Sequence, residues 1–172
     1  MLKIAGVLLV VGASSLMGFG FSNRLIGRCR VLKTWLHILE ILMVEIYYQD
    51  NLLPEVFEKV ARGIDDPVLA QAFSNLAGLV VFGSGLELRE VWRKIPVRAG
   101  ADYLKPSDIS IINELGDYLG STDRDDQREK IQRCQSRLQN SLNLAETEQY
   151  KKRTLFRYLG FAVGTVLVLF LI

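Results

Sequence analysis

Histidine occurs once in this chain, at His37, and cysteine twice, at Cys29 and Cys134. A catalytic or metal centre needs nucleophile, base or ligand side chains gathered in one place, and this scarcity leaves little to gather. His37 falls on the polar side of a helical stretch and reads as a solvated surface residue. The cysteines are far apart and fit no metal-ligand spacing, so in a reducing cytoplasm they are expected to be free thiols. The chain has no G-x-x-x-x-G-K-S/T segment, and Gly83-Ser84-Gly85 lacks the third glycine and preceding strand of a dinucleotide loop. Any ATP used alongside it is therefore hydrolysed by another protein. Side-by-side acids at Asp65-Asp66 and Asp125-Asp126 would point in different directions on a helix, and capping or dipole pairing explains both. A formal net charge of +2 is too small to argue for nucleic acid. Internal repeats, low-complexity linkers and convincing period-two strands are also missing. These absences imply no metal, cofactor or small-molecule substrate, and a protein that is not an enzyme.

What the chain does have is a long apolar run at each end, Ile4 to Ser22 and Leu155 to Ile172. A run of roughly 18 to 20 apolar residues is long enough to cross a bilayer as a helix. Basic residues flank both runs on the inner side: Arg24, Arg28, Arg30 and Lys33 after the first, and Lys151, Lys152, Arg153 and Arg157 at the second. Lys and Arg are retained on the cytoplasmic side, which predicts a cytoplasmic middle and both termini across the membrane. Attraction of Arg28, Arg30, Lys151 and Lys152 to anionic headgroups would follow. A cleaved signal peptide, cut near Gly12-Ala13-Ser14, is the competing reading. It is disfavoured because the apolar run continues through Leu16, Met17, Phe19 and Phe21 and both flanks of the exported domain would be basic. The expected organisation is a transmembrane helix over 1–23, a helical domain over 24–154 and a second transmembrane helix over 155–172.

The middle reads as helix throughout. Leu32, Trp35, Leu36, Leu39, Leu42, Met43 and Ile46 form one stripe at spacings of three and four, with Asp50-Asn51 as its end. Pro54 suits the first turn of a second helix carrying Val56, Phe57, Val60 and Ala61. Asp66 is expected as the N-cap and Pro67 as the first residue of a third helix, reaching about Phe82. Leu86 to about Ile95 is a fourth helix, buried through Leu88, Val91, Trp92 and Ile95, which Pro96 is expected to stop. A fifth starts at Pro106, turns Ile109, Ile111, Ile112, Leu115 and Leu119 inward, and has Gly120 to end it. The last starts at Thr122, with Asp125 three places on. It carries Ile131, Cys134, Leu138, Leu142 and Ala145 and meets no proline before the chain ends, so one helix is expected to leave the domain and enter the membrane. The fold class is all-α, a six-helix bundle flanked by two transmembrane helices.

Leu115-Gly116-Asp117-Tyr118-Leu119-Gly120, followed by Asp123 and Gln127, resembles the L-G-x-x-L-G-x-x-D-x-x-x-Q segment of the stage III sporulation protein AB family. Arg157, Leu159-Gly160-Phe161 and the leucine-rich tail resemble that family's R-x-L-G-F and terminal run. Glu45-Ile46-Tyr47-Tyr48 resembles the E-I-x-Y closing its first long helix, and Trp92 sits where the family has an aromatic. No single piece is specific, but the ordered set spans the whole length. Two departures stand out: Met43 replaces an expected second glutamate, and Pro54 falls about two places late. The resemblance implies a part of the mother-cell channel complex built during endospore formation, in the membrane surrounding the forespore. It implies a soluble region similar to the cytoplasmic domain of type II secretion platform proteins. Its implied partners are a secretion-type ATPase, stage III sporulation protein AA-like, and other channel proteins.

Two sets of residues are candidates for contact. Asp117, Asp123 and Gln127 frame the turn between the last two helices, where partner contact and simple capping are equally open. Glu45 at the end of the first long helix is either a second contact or a buried structural carboxylate. In the spans, Gly160 and Gly164 form G-x-x-x-G, and Ser14, Gly18 and Ser22 repeat the spacing, which favours close helix packing in lipid; glycine is also simply frequent there. The favoured function is a non-enzymatic platform that docks the ATPase onto the channel. The alternative is a membrane-tethered helical regulator that binds a soluble partner protein.

Overall fold

The apolar stripes close on a core of aromatics, one from each of the first four helices. A computed structural model describes residues 24–49, 51–82, 85–100, 102–119 and 124–171. Helix α1 covers 24–43 and ends in a π-helical turn, Val44–Tyr48. It is followed by α2 (Leu53–Arg62), α3 (Pro67–Phe82), α4 (Gly85–Gly100), α5 (Pro106–Gly116) and α6 (Arg124–Leu171). No strand occurs among the described residues, and the all-helical expectation holds. Trp35, Phe57, Phe73 and Trp92 are fully buried. The Trp35 and Trp92 rings lie edge to face at 6.0 Å, as do Phe73 and Trp92 at 5.8 Å, the offset geometry that aromatic quadrupoles prefer.

Successive helices pack on one another from α2 to α6, while α1 reaches all of them. It touches α2 through Glu45 and Lys59, α3 and α4 through Trp35, α5 through Arg28 and Asp108 and α6 through Lys33 and Glu146. This central position explains why α1 buries Ile38 beside its main stripe of Leu32, Trp35, Leu39 and Leu42. The expected α6 stripe, Ile131, Cys134, Leu138, Leu142 and Ala145, is buried in full. Asp66 caps α3, its Oδ1 accepting the amides of Val68 and Leu69 at 2.9 and 3.1 Å.

Helix α4 does not stop before Pro96. It runs on to Gly100 with the proline inside. Proline forfeits one ladder bond and crowds the preceding turn, but the added turn carries Pro96 and Gly100 into buried positions. Gly100 lies against Leu104 and Val31, and its carbonyl accepts the amides of Tyr103 and Leu104. Packing onto α1 outweighs the local rule. The π turn closing α1 was likewise not foreseen; the Gln49 amide reaches the Val44 carbonyl at 3.1 Å. Helix α5 ends at Gly116, with Asp117 as C-cap, four residues before Gly120. Gly120 and Thr122, expected as helix end and start, lie outside the described residues.

The 48 residues of α6 form one helix through Leu171, as expected. Among the described residues no helix is long and apolar enough to cross a membrane. The expected spans rest on residues 1–23 and on side chains beyond 155, and these lie outside what is described. The buried core falls between Leu25 and Ala145. A fragment of residues 24–154 is therefore expected to be soluble, helical by circular dichroism and cooperative in melting. Substantial sheet, or an unfolded chain in buffer, would contradict this.

Candidate functional site

One end of the bundle gathers polar groups that the sequence holds in separate places. At the π turn, Glu45 is buried and its Oε2 accepts hydrogen bonds from Lys59 Nζ and Asn51 Nδ2, both at 2.6 Å. The Lys59 hydrogen bond, helped by Asn51, holds the Glu45 carboxyl below the usual value despite its burial. Tyr47, next but one in the turn, accepts a hydrogen bond from Arg128 at 2.9 Å, and that guanidinium also lies over the Tyr47 ring. Arg128 follows Gln127 in the opening turns of α6. The end of α1 and the start of α6 are thus neighbours, and Glu45 and Gln127 share one end of the molecule.

Asp117 lies near this end too, next to Tyr118, whose ring Lys130 of α6 covers. It caps the C-terminus of α5 and meets Arg93 of α4 at 3.1 Å, with 40 % of its side chain exposed. Beside it Lys130 sits over the Tyr118 ring at 4.3 Å, and Arg137 pairs with Glu114. Gln127 is buried at 8 % exposure, and Asp123 lies outside the described residues, as do Ser14, Gly18 and the side chains at 160 and 164. Of the described candidates, Asp117 offers the most surface. Gly116, from the same L-G-x-x-L-G segment, is buried where a Cβ would collide with the Trp92 indole. That indole donates to the Ile112 carbonyl at 2.8 Å. The segment's first glycine therefore serves close packing of α5 on α4.

At the opposite end the structure holds a feature that the sequence did not disclose. Arg28 is buried and bonds in a two-pronged fashion to Asp108, Nε to Oδ2 at 2.9 Å and Nη2 to Oδ1 at 3.1 Å. Asp108 Oδ2 also accepts the Lys105 amide at 3.0 Å, as a first-turn acid does in a capping box. Burial alone would raise the Asp108 carboxyl, but Arg28, the Lys105 amide and Ser141 together hold it below the usual range. Glu148 of α6 lies 4.0 Å from Arg28 and takes Lys105 at 3.0 Å. A signal was present. Asp108 falls on the inward stripe with Ile111, Ile112 and Leu115, and Arg28 falls on that of α1. A charge at a core position needs a buried partner.

His37 is exposed beside Glu40, and Cys29 and Cys134 are free and buried. Burial pushes the Cys134 thiol up to about 12, away from nucleophilic use. No group of three histidine, cysteine or acidic side chains able to hold a metal ion occurs among the described residues. The sequence pattern of the stage III sporulation protein AB family matches residues 3–172. The chain belongs to that family. The Stage III sporulation protein AB of Bacillus subtilis (strain 168) is 28 % identical over 178 residues, with 99 % of each chain covered. No solved structure matches. The π turn with its E-I-x-Y residues and the L-G-x-x-L-G segment leading into the α5–α6 turn fall within the region matched to the family.

Proposed function

We propose that this family member is a non-enzymatic platform in the mother-cell sporulation channel complex, anchored at both ends in the membrane. Its helical bundle would offer the π turn and the α5–α6 turn to a cytoplasmic secretion-type ATPase. The observation that carries this reading is the unbroken course of α6, from the polar end of the bundle through its core and onward to Leu171. At 1.5 Å per residue, about 40 Å separate Arg128 from Leu155, where the apolar run begins. A protein docked at the polar end would stand clear of headgroups yet be joined by one helix to the bilayer.

The test is charge reversal at Asp117, read in two ways. The Asp117–Arg93 pair is solvent-exposed and worth about 0–1 kcal/mol at most, so Asp117→Lys should leave melting nearly unchanged. Co-purification of the ATPase with the chain, from detergent-solubilised membranes of sporulating cells, should fall at least severalfold. Full ATPase recovery with Asp117→Lys would move the docking face elsewhere, with the first long helix around Glu40 and Glu45 next. Recovery of one soluble partner without channel proteins or an ATPase would instead favour a tethered regulator.

A further inference from the structure

The end of the bundle away from the π turn brings three elements to one level. Lys33 meets Glu146 at 2.8 Å, the Cys29 thiol points to Gln149 Oε1 at 3.6 Å, and Arg28 lies 4.0 Å from Glu148, so α1 and α6 run antiparallel in one register. The α4–α5 loop joins them there. Lys105 reaches Glu148 at 3.0 Å, and the Tyr103 ring lies on the bare backbone of Gly27, where a Cβ would collide with it. The Tyr103 and Leu104 amides both bond to the Gly100 carbonyl, at 2.9 and 2.8 Å, and Leu104 is buried. The loop is thus held in place with Tyr103 at the surface.

In that register Gly27 stands level with Gln149 to Lys151, about 6–9 Å along α6 short of Leu155. The headgroup layer on each side of a bilayer is about 5–8 Å thick. A bundle anchored by the apolar run from Leu155 therefore holds this loop at headgroup depth. The surface suits that place. Tyr103 and Tyr150 are the tyrosines exposed among the described residues, at 43 % and 74 %, and both are here, whereas Tyr47 and Tyr118 at the other end are half-buried. Tyrosine favours membrane–water boundaries, where its ring is covered and its hydroxyl stays wet. The acids on α5 and α6 are taken up by Arg28 at Asp108, Lys33 at Glu146 and Lys105 at Glu148. Arg24 and Lys151 are exposed and have no ion-pair partner among the described residues, and such cations are drawn to anionic headgroups. Asp102, exposed beside Tyr103, limits how deep the loop can lie.

We propose that the α4–α5 loop is a third membrane contact, laying Tyr103 in the headgroup layer of an anionic bilayer, level with Tyr150 and Lys151. This rests on the double anchoring proposed above. Two anchors on neighbouring helices leave the bundle free to tilt about the line joining them. A third contact off that line fixes the tilt, and with it the direction in which the polar end faces.

Tryptophan reporters in the full-length chain test the contact, with vesicles of phosphatidylglycerol and phosphatidylethanolamine carrying brominated acyl chains as quencher. Trp35 and Trp92 are fully buried and form a constant background. Ile26→Trp, beside the first apolar run, is the positive control, and Leu52→Trp, exposed near the π turn, is the negative one. Tyr103→Trp keeps an aromatic ring on Gly27. It should be quenched several-fold more than Leu52→Trp and approach Ile26→Trp. Asp102→Trp is the second reporter should circular dichroism show that the first disturbs the fold. Quenching at positions 102 and 103 no greater than at 52, with position 26 quenched, would overturn the third contact alone. Release of the chain by alkaline carbonate would overturn the anchoring, and the contact with it.

Discussion

Replacing Asp108 by alanine is expected to cost the bundle about 3–5 kcal/mol, the usual consequence of leaving one member of a buried ion pair uncompensated. Arg28 is 4 % exposed, so removing Asp108 leaves its guanidinium buried without its main partner. The same substitution removes the acceptor for the Lys105 amide at the start of α5. Against a total stability of about 5–15 kcal/mol for a domain, chemical denaturation of the 24–154 fragment should show the loss plainly. Arg28→Ala should cost a similar amount alone and little more in the Asp108→Ala background, because the two act as a unit. The effect also has a pH signature. The folded Asp108 carboxyl lies below its ordinary value of 3.8. Its stabilisation is therefore complete above that value and is lost as pH falls through the depressed folded value. The stability gap between wild type and Asp108→Ala should be constant near neutrality and narrow only below about pH 4. A gap of less than about 1 kcal/mol at neutral pH, the range of exposed pairs, would show that Arg28 reaches water after all.

Trp92→Ala should be comparably severe, at about 3–5 kcal/mol, because a fully buried large side chain leaves a cavity that its neighbours cannot fill. Its ring contacts reach Trp35, Phe57 and Phe73 from three other helices, so collapse around the gap would have to move all of them. Phenylalanine separates volume from hydrogen bonding. Trp92→Phe also removes the hydrogen bond that the indole donates to the Ile112 carbonyl, whereas the buried Trp35 Nε1 has no hydrogen-bond partner among the described residues. Trp92→Phe is therefore expected to cost about 1 kcal/mol more than Trp35→Phe, the net value of one such bond. Equal costs in equilibrium unfolding would remove the hydrogen bond from the account.

Local chemistry made much of this architecture legible. The Asp66 cap, Pro54 and Pro106 in first turns, and the α6 stripe depend on residues a few places apart, and each is found where expected. Pro96 failed because a rule about neighbours was overruled by packing onto α1. Arg28 was read as a topology marker because its partner lies 80 residues away, a distance over which periodicity carries no information. The same limit governed the candidate site. Glu45 and Gln127 were each conspicuous, but only the Tyr47–Arg128 contact shows that they occupy one end. Burial of Gln127 could not be read from its motif, since an amide suits a turn and an interior network equally well.

Helix α6 meets no proline, and no glycine before Gly160, so it lacks the usual causes of a sharp bend. A rod of this kind works as a lever. Tilting it by about 5° about its middle, near Leu138, would displace Arg128, about 15 Å away, by about 1.3 Å and Leu155, about 25 Å away on the other side, by about 2 Å. That is enough to make or break the Tyr47–Arg128 contact. The hinge of the lever is set by the side chains that grip its middle, Ile131 to Ala145, and any push received at one end is delivered at the other with its direction reversed.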